Sequence, residues 1–145
     1  MNSKMQRVNS DEIEIEYTEG GSPLYTWEGE PFTGVAFDVD DSGNLISEIT
    51  YQEGIENGSE KNWYPDGQLE SVRNNKWNRI HGDFKEWYPD GQVKIEGKCE
   101  LGYVVWRKSW DDAGNLTEEY DIENHPERLN VLLREKLFFT RNNLL

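Results

Sequence analysis

Hydrophobic and polar positions alternate over most of this chain, and glycine-centred turns interrupt the alternation at regular intervals. Alternation of this kind predicts β-strands. The pattern changes near the end, where four leucines lie on one side of a helix: Leu129, Leu132, Leu133 and Leu137. Pro126 suits the first turn of that helix, which we predict over residues 126–141. The pattern therefore predicts a mainly β fold, an antiparallel meander of hairpins with one C-terminal α-helix.

A repeat of about 24 residues organises the strands. The segment Trp-Tyr-Pro-Asp-Gly-Gln occurs at residues 63–68 and again at residues 87–92. Two glycine registers hold the same phase through the chain: Gly43, Gly67, Gly91 and Gly114 in one, and Gly34, Gly58 and Gly82 in the other. Two registers that keep phase in this way indicate tandem repeats rather than chance.

Each repeat is predicted to be a β-hairpin. In Pro-Asp-Gly, proline and aspartate favour a type I turn, and glycine takes the left-handed conformation of a bulge. This turn predicts four cross-strand pairs: Val39–Leu45, Trp63–Leu69, Trp87–Val93 and Trp110–Leu116. We expect these pairs on a packed face and the opposite face to be polar and wet. Three lysines alternate onto the tryptophan face, where we expect their stems to lie along the indoles: Lys61, Lys85 and Lys108.

The organisation predicted along the chain is a single domain over residues 1–145. Residues 11–28 form a degenerate N-terminal cap hairpin, with strands at 13–17 and 24–27. Four hairpin repeats occupy residues 29–120, and the C-terminal helix lies within residues 124–141. We expect this helix to cover part of the apolar sheet face or to cap the last hairpin.

Charge limits the classes of partner. The chain has 29 acids and 15 bases, a net charge of -14, and residues 11–60 hold fourteen acids and no Lys or Arg. Such a field repels nucleic acid and anionic membranes and attracts basic protein surfaces, although acids also serve solubility alone. A single cysteine and the absence of an apolar leader in the given sequence predict a cytoplasmic protein.

The residues that carry most catalytic chemistry are few. We interpret His81 as a loop residue, His125 as a helix cap and Cys99 as a small apolar residue. No zinc spacing, phosphate loop or nucleophile elbow occurs, so we expect no enzyme activity, metal or cofactor. A calcium loop at residues 38–43 is a weaker alternative, because Ile49 stands where such a loop needs a bidentate glutamate.

The repeat resembles the MORN-variant family, the second MORN repeat type, over roughly residues 29–120. The matching features are a glycine, an aromatic pair, and a turn glycine followed by an aliphatic residue, as in Gly58, Trp63-Tyr64 and Gly67-Gln68-Leu69. The first and last units depart from the pattern, because Asp40 and Asp111 stand where the middle units have tyrosine. The resemblance says nothing about the C-terminal helix.

Bacterial chains built mostly of such repeats are similar to YwqK-type antitoxins, which are immunity proteins. The resemblance implies a protein that binds and neutralises a cognate toxin, with a homodimer as a further possibility. We predict contacts to a basic toxin surface at six residues: Asp38, Asp40, Asp41, Glu60, Tyr64 and Tyr88. The alternative is a structural scaffold or homodimerising module without inhibition. Lipid binding is disfavoured by the charge.

Overall fold

The computed structural model describes residues 5–144 and shows thirteen β-strands followed by one α-helix. The strands are β1 (Gln6–Asn9), β2 (Glu14–Tyr17), β3 (Pro23–Trp27), β4 (Glu30–Pro31), β5 (Gly34–Val39), β6 (Leu45–Gln52), β7 (Ile55–Trp63), β8 (Leu69–Lys76), β9 (Arg79–Ile80), β10 (Gly82–Trp87), β11 (Val93–Glu100), β12 (Tyr103–Trp110) and β13 (Leu116–Asp121). Helix α1 spans Pro126–Arg141, the range predicted from the sequence. The mainly β fold with a C-terminal helix is confirmed.

The repeats form one long main sheet in the order β1-β5-β6-β7-β8-β10-β11-β12-β13, and β9 adds to β8. The four repeat hairpins are β5–β6, β7–β8, β10–β11 and β12–β13. All four predicted cross-strand pairs are present in the register: Val39–Leu45, Trp63–Leu69, Trp87–Val93 and Trp110–Leu116. Strand β1, which the sequence pattern did not predict, joins β5 in parallel.

Every repeat hairpin carries a β-bulge one residue beyond the predicted pair. In the second repeat, Trp63 pairs with Leu69 but Asn62 pairs with Ser71, so Glu70 is the extra residue. The register shifts at the same place in the other three repeats. A bulge increases the local right-handed twist. The repeats therefore share a twist device that the turn sequence alone does not reveal.

Two-residue loops join successive repeats along what we call the loop edge of the main sheet. These loops are Glu53-Gly54, Trp77-Asn78 and Leu101-Gly102, and all six residues have positive φ, as a type I′ turn requires. Each loop also donates a backbone hydrogen bond to an earlier segment of the chain. The bonds run from Gly54 N to Phe32 O (2.8 Å), from Asn78 N to Glu56 O (3.2 Å) and from Gly102 N to Ile80 O (2.9 Å). Donors and acceptors both recur every 24 residues.

The expectation of one packed face and one wet face is wrong for the middle of the main sheet. Trp63, Trp87 and Trp110 are only half-buried, and the buried hydrophobic clusters lie at the two ends of the molecule. A single layer leaves both faces of the central strands partly accessible to water. On the tryptophan face, Lys85 Nζ lies 3.8 Å from Glu96 Oε2 on the neighbouring strand and 5.6 Å from the centroid of the Trp87 ring. The expected place of this lysine beside an indole is confirmed.

At the N-terminal end, β2, β3 and β4 form a separate three-stranded antiparallel sheet, the cap sheet. Phe32, the residue directly after β4, packs with Val8, Ala36 and Tyr51 of the main sheet in a buried cluster. Tyr25 N donates to Gly54 O (2.9 Å), which attaches the cap sheet to the first loop. The cap covers the face opposite the tryptophans.

At the other end, α1 lies along the loop edge and caps the last hairpin. Leu132 packs with Leu101 and Ile122 in the second buried cluster. Arg79 pairs with Glu135 at 2.9 Å, and the Trp77 indole donates to Leu144 O at 3.0 Å, so α1 and the residues after it also reach the Trp77-Asn78 loop. The predicted leucine stripe is divided: Leu132 is buried and Leu129 half-buried, but Leu133 and Leu137 are exposed. Within residues 5–144 no helix is long and apolar enough to cross a membrane.

Leu132→Ala is expected to lower the free energy of unfolding by about 3 kcal/mol, because Leu132 is 3% exposed and its loss leaves a cavity under α1. Leu133→Ala is the matched control on the same helix and should cost less than about 1 kcal/mol. Urea unfolding followed by circular dichroism measures both. Equal losses would show that α1 does not anchor through Leu132.

Candidate protein-binding surface

The turns of the four repeats line the edge of the main sheet that lies opposite the loop edge. This turn edge carries an aspartate in every repeat: Asp40, Asp41, Asp66, Asp90, Asp111 and Asp112. Four of these side chains are exposed and the two at the start of a turn, Asp40 and Asp111, are half-buried. Of these six aspartates, only Asp40 and Asp41 are among the contacts predicted from the sequence. Placing all four turns in one phase would have identified the rest, because a meander brings every second connection to the same edge.

Asp40, a predicted contact residue, also shapes its own turn. Its Oδ1 accepts from Ser42 N and Asn44 N, both at 2.9 Å, and its Oδ2 accepts from Asn44 Nδ2 at 3.0 Å. The bonds from Asn44 and Ser42 lower the pKa of the Asp40 carboxyl. Asp40, which a calcium loop at residues 38–43 would use as a ligand, therefore stabilises a hairpin turn. Asp41, the next residue, is exposed.

The two predicted tyrosines bind neighbouring repeats. The Tyr64 hydroxyl donates to Trp87 O at 2.7 Å, and the Tyr88 hydroxyl donates to Trp110 O at 2.9 Å. Burial, followed by the negative charge of Glu70, raises the pKa of Tyr64. Both phenols have their proton donor engaged inside the molecule. The ring faces and edges, and the acceptor side of each hydroxyl oxygen, are therefore left for a partner.

Asp38 and Glu60 lie within strands, on the face opposite the tryptophans, whereas the turn-edge aspartates lie in the turns themselves. Asp38 is half-buried and accepts from the Ser10 hydroxyl. Glu60 is 6% exposed, receives Arg73 Nη2 at 2.6 Å and receives Asn75 Nδ2 at 2.9 Å. The expectation that Glu60 stands on a wet face is corrected: its carboxylate is buried and already bound by two donors.

Glu60 belongs to a buried polar cluster where the cap sheet meets the main sheet. Tyr25 and Tyr51 have ring centroids 4.8 Å apart, and burial raises the pKa of Tyr25 to about 12. Burial also raises the pKa of Glu56, while a hydrogen bond with Tyr25 opposes that rise. Burial of these groups costs free energy unless they are paired, so the cluster depends on the bonds that Glu60 accepts from Arg73 and Asn75.

The two histidines and the single cysteine, which are the remaining candidates for catalytic chemistry, all make structural contacts. His81 is half-buried, and its Nδ1 accepts from Leu101 N at 3.0 Å, which holds the last loop. Cys99 is 3% exposed, and burial raises the pKa of its thiol, as fits a small apolar residue. His125 is the N-cap residue of α1, as expected, and its C=O accepts from Leu129 N at 3.0 Å. Its side chain makes no capping hydrogen bond, because the ring stacks on Tyr120 with the centroids 4.8 Å apart. Within residues 5–144, no three His, Cys, Asp or Glu side chains gather as a metal site.

The family model of the MORN repeat variant matches residues 56–74 and 80–98. These ranges cover most of the second and third hairpins. No curated protein matches the chain. Two solved structures are similar to part of it: a mutant of S. aureus TarM in complex with fondaparinux, α-GlcNAc-glycerol and UDP, at 14% identity, and TarM at 15% identity. Each has a TM-score of 0.38 and covers 78% of this chain, which spans only 20% of either match. A TM-score this low does not establish a shared fold.

The repeat match supports one coarse conclusion. The second and third hairpins match the MORN repeat variant, and such repeats indicate a repeat-containing module for protein interaction.

Tyr64→Phe and Tyr88→Phe are expected to lower the free energy of unfolding by about 1 kcal/mol each, because each removes one hydrogen bond between repeats. Tyr17→Phe, at a side chain 70% exposed, is the control and should change little. Urea midpoints of the three variants give the comparison. A loss no larger than the control's would mean that these hydroxyls do not hold the repeats together.

Glu56→Gln is expected to stabilise the protein at pH 7. Burial raises the pKa of Glu56 above its ordinary 4.5, so ionising this carboxyl costs more in the folded protein than in the unfolded chain. Wild type therefore loses stability as the pH rises through the folded pKa, whereas the glutamine variant does not. The difference in stability between the variant and wild type should vanish below about pH 4, where Glu56 is protonated and the side chain at this position is neutral in both proteins.

Thermal midpoints measured from pH 4 to pH 7 test this prediction. Glu53→Gln, at an exposed loop position, is the control and should follow wild type. If the thermal midpoints of the two variants changed with pH in the same way over the whole range, a raised pKa for Glu56 would be contradicted.

Proposed function

We propose that this chain is an immunity protein, an antitoxin that binds and neutralises a cognate bacterial toxin in the cytoplasm. The single observation that carries the proposal is the acidic turn edge on a MORN-variant repeat scaffold. A row of aspartates along one rigid edge complements a basic cleft of the kind that binds nucleic acids or nucleotides. Electrostatic attraction would speed the encounter, and the long sheet would then block the cleft.

In this proposal the chain acts by occlusion and performs no catalysis. Asp40 and Asp41 supply charge at the first turn, and Tyr64 and Tyr88 supply ring surface beside the middle turns. Asp38 contributes from the adjacent strand. Glu60 acts indirectly, because its carboxylate is bound to Arg73 and is 6% exposed. We therefore move the proposed contact surface from Glu60 towards the turn-edge aspartates of the later repeats.

Co-expression with the toxic domain encoded beside the gene tests the proposal. Wild type should keep cells alive, and the double variant Asp41→Lys/Asp112→Lys should lose most of this protection. Both side chains are exposed, at the two ends of the turn edge. Glu28→Lys/Glu53→Lys is the matched control, with the same charge change at exposed two-residue loops, and it should protect like wild type.

Each contrary result has a distinct meaning once circular dichroism shows all three proteins folded. Protection by both variants would discard the turn edge as the contact surface. Death with wild type, despite an active toxin and folded protein, would overturn the immunity role.

The second candidate is a structural scaffold or homodimer without inhibitory activity. One observation favours it: α1 exposes four large apolar side chains, Val131, Leu133, Leu137 and Phe138, at 41–59%. A second copy could cover them. Sedimentation of the protein without a partner separates the two hypotheses, because dimers that form as the concentration rises would support the scaffold.

A further inference from the structure

We propose that the cap-sheet edge strand β2 binds an extended segment of a partner protein in which basic and apolar residues alternate. The segment would add to the cap sheet as a fourth strand. This inference deepens the proposed function, since it rests on the chain acting as a protein-binding module. It concerns a different surface from the turn edge.

The outer side of β2 offers unpaired backbone groups. β2 ends the cap sheet in the order β2-β3-β4, and no strand within residues 5–144 pairs with its outer side. Thr18 N donates to Ser22 O at 2.9 Å, and inward bonds recur at every second residue of an antiparallel pair. The inward residues are thus Glu16 and Glu14. The backbone N–H and C=O of Ile15 and Tyr17 point outward.

The backbone of β3 supports this alternation. Tyr25, the register partner of Ile15, uses its own N–H and C=O on the side away from β2. Its N–H donates to Gly54 O at 2.9 Å, and its C=O accepts from Phe32 N at 3.0 Å. Ile15 and Tyr25 therefore form a pair without mutual hydrogen bonds, which leaves the Ile15 groups free to pair with an incoming strand.

The side chains of β2 specify what that strand must carry. Ile15 and Tyr17 share one face and are 54% and 70% exposed, which is unusual for large apolar residues in a strand. Glu14 and Glu16 share the other face, and no Lys or Arg occurs in residues 11–60 to neutralise them. A partner strand with apolar residues opposite Ile15 and Tyr17, and basic residues opposite the glutamates, matches both faces.

A second copy of this chain does not fit the edge. Strands that pair must place residues of the same face opposite each other. In an antiparallel β2–β2 pair with its faces matched, Glu14 would lie opposite Glu16, or one of the two glutamates would lie opposite its own copy. Like charges directly opposite destabilise a sheet. The glutamates thus disfavour self-association and favour a basic partner.

The far edge of the main sheet provides a contrast. β13 also ends its sheet and is exposed, but its acids occupy both faces: Glu118 and Glu119 are adjacent in the strand. Each already lies near a base, Arg107 or Lys108. Charge on both faces is typical of an edge protected against pairing. β13 therefore serves as the matched control strand.

The test uses an end-blocked, fluorescent octapeptide of alternating Lys and Val, titrated into the full chain at low ionic strength. Binding should protect the Ile15 and Tyr17 amides from hydrogen exchange, as resolved by nuclear magnetic resonance. Glu14→Gln/Glu16→Gln should weaken binding about tenfold, and Glu118→Gln/Glu119→Gln should weaken it less than about twofold. Ile15→Pro removes one outward N–H from an edge strand and should abolish binding while the fold persists.

A peptide with the same composition but all lysines first separates strand pairing from charge alone. It should bind at least about tenfold more weakly, because its basic and apolar residues cannot alternate between faces. The proposal would be overturned if neither peptide bound, or if the two peptides bound equally. It would also be overturned if the β2 and β13 variants had equal effects, or if the protected amides lay outside β2. No arm requires a toxin, so peptide binding without cell protection would reject the immunity role and keep the β2 site.

Discussion

A single-layer sheet has no second layer to hold it, so each repeat must be bound to its neighbour within the sheet. The backbone bonds of the loop edge meet this constraint at intervals of 24 residues, from Gly54, Asn78 and Gly102 to an acceptor in an earlier segment. The hydroxyls of Tyr64 and Tyr88 do the same near the turn edge. Such an architecture gains stability from nearest-neighbour contacts, and its terminal units need caps.

The two caps meet this need by different means. The cap sheet covers one face at the N-terminal end through Phe32, while α1 lies along the loop edge and closes over Leu101 and Ile122. Leu101 takes a positive φ of 51°, which is unfavourable for a large side chain, and it is 1% exposed. Packing against the helix offsets that local strain. The helix therefore stabilises the last loop as well as the last strand.

The sequence predicted the local geometry of the hairpins and the helix, but it did not predict that the central sheet has only one layer. Glycine phase and Pro-Asp-Gly predicted the register of all four hairpins, and Pro126 with the leucine stripe predicted α1, because these signals act over a few residues. The bulge at Glu70 and its equivalents has no distinctive residue type, and β1 is too short to show a period. The packed-face expectation failed because alternation records which side a residue faces and not whether anything covers it. Of the predicted contacts, Glu60 was misplaced since its partners Arg73 and Asn75 lie one strand away.

The distribution of ion pairs explains why the acidic surplus appears at the turns and on the cap. Bases of the later repeats are bound across strands, as Arg107 is to Glu118 and Lys85 to Glu96. Residues 11–60 have fourteen acids, and within the described part of the chain only Glu48 and Glu60 among them form ion pairs, with Arg7 and Arg73. A charge that pairs internally contributes little to the external field, whereas an unpaired one contributes fully. The strongest uncompensated negative field therefore lies on the first repeat and the cap sheet, where β2 also has its free edge.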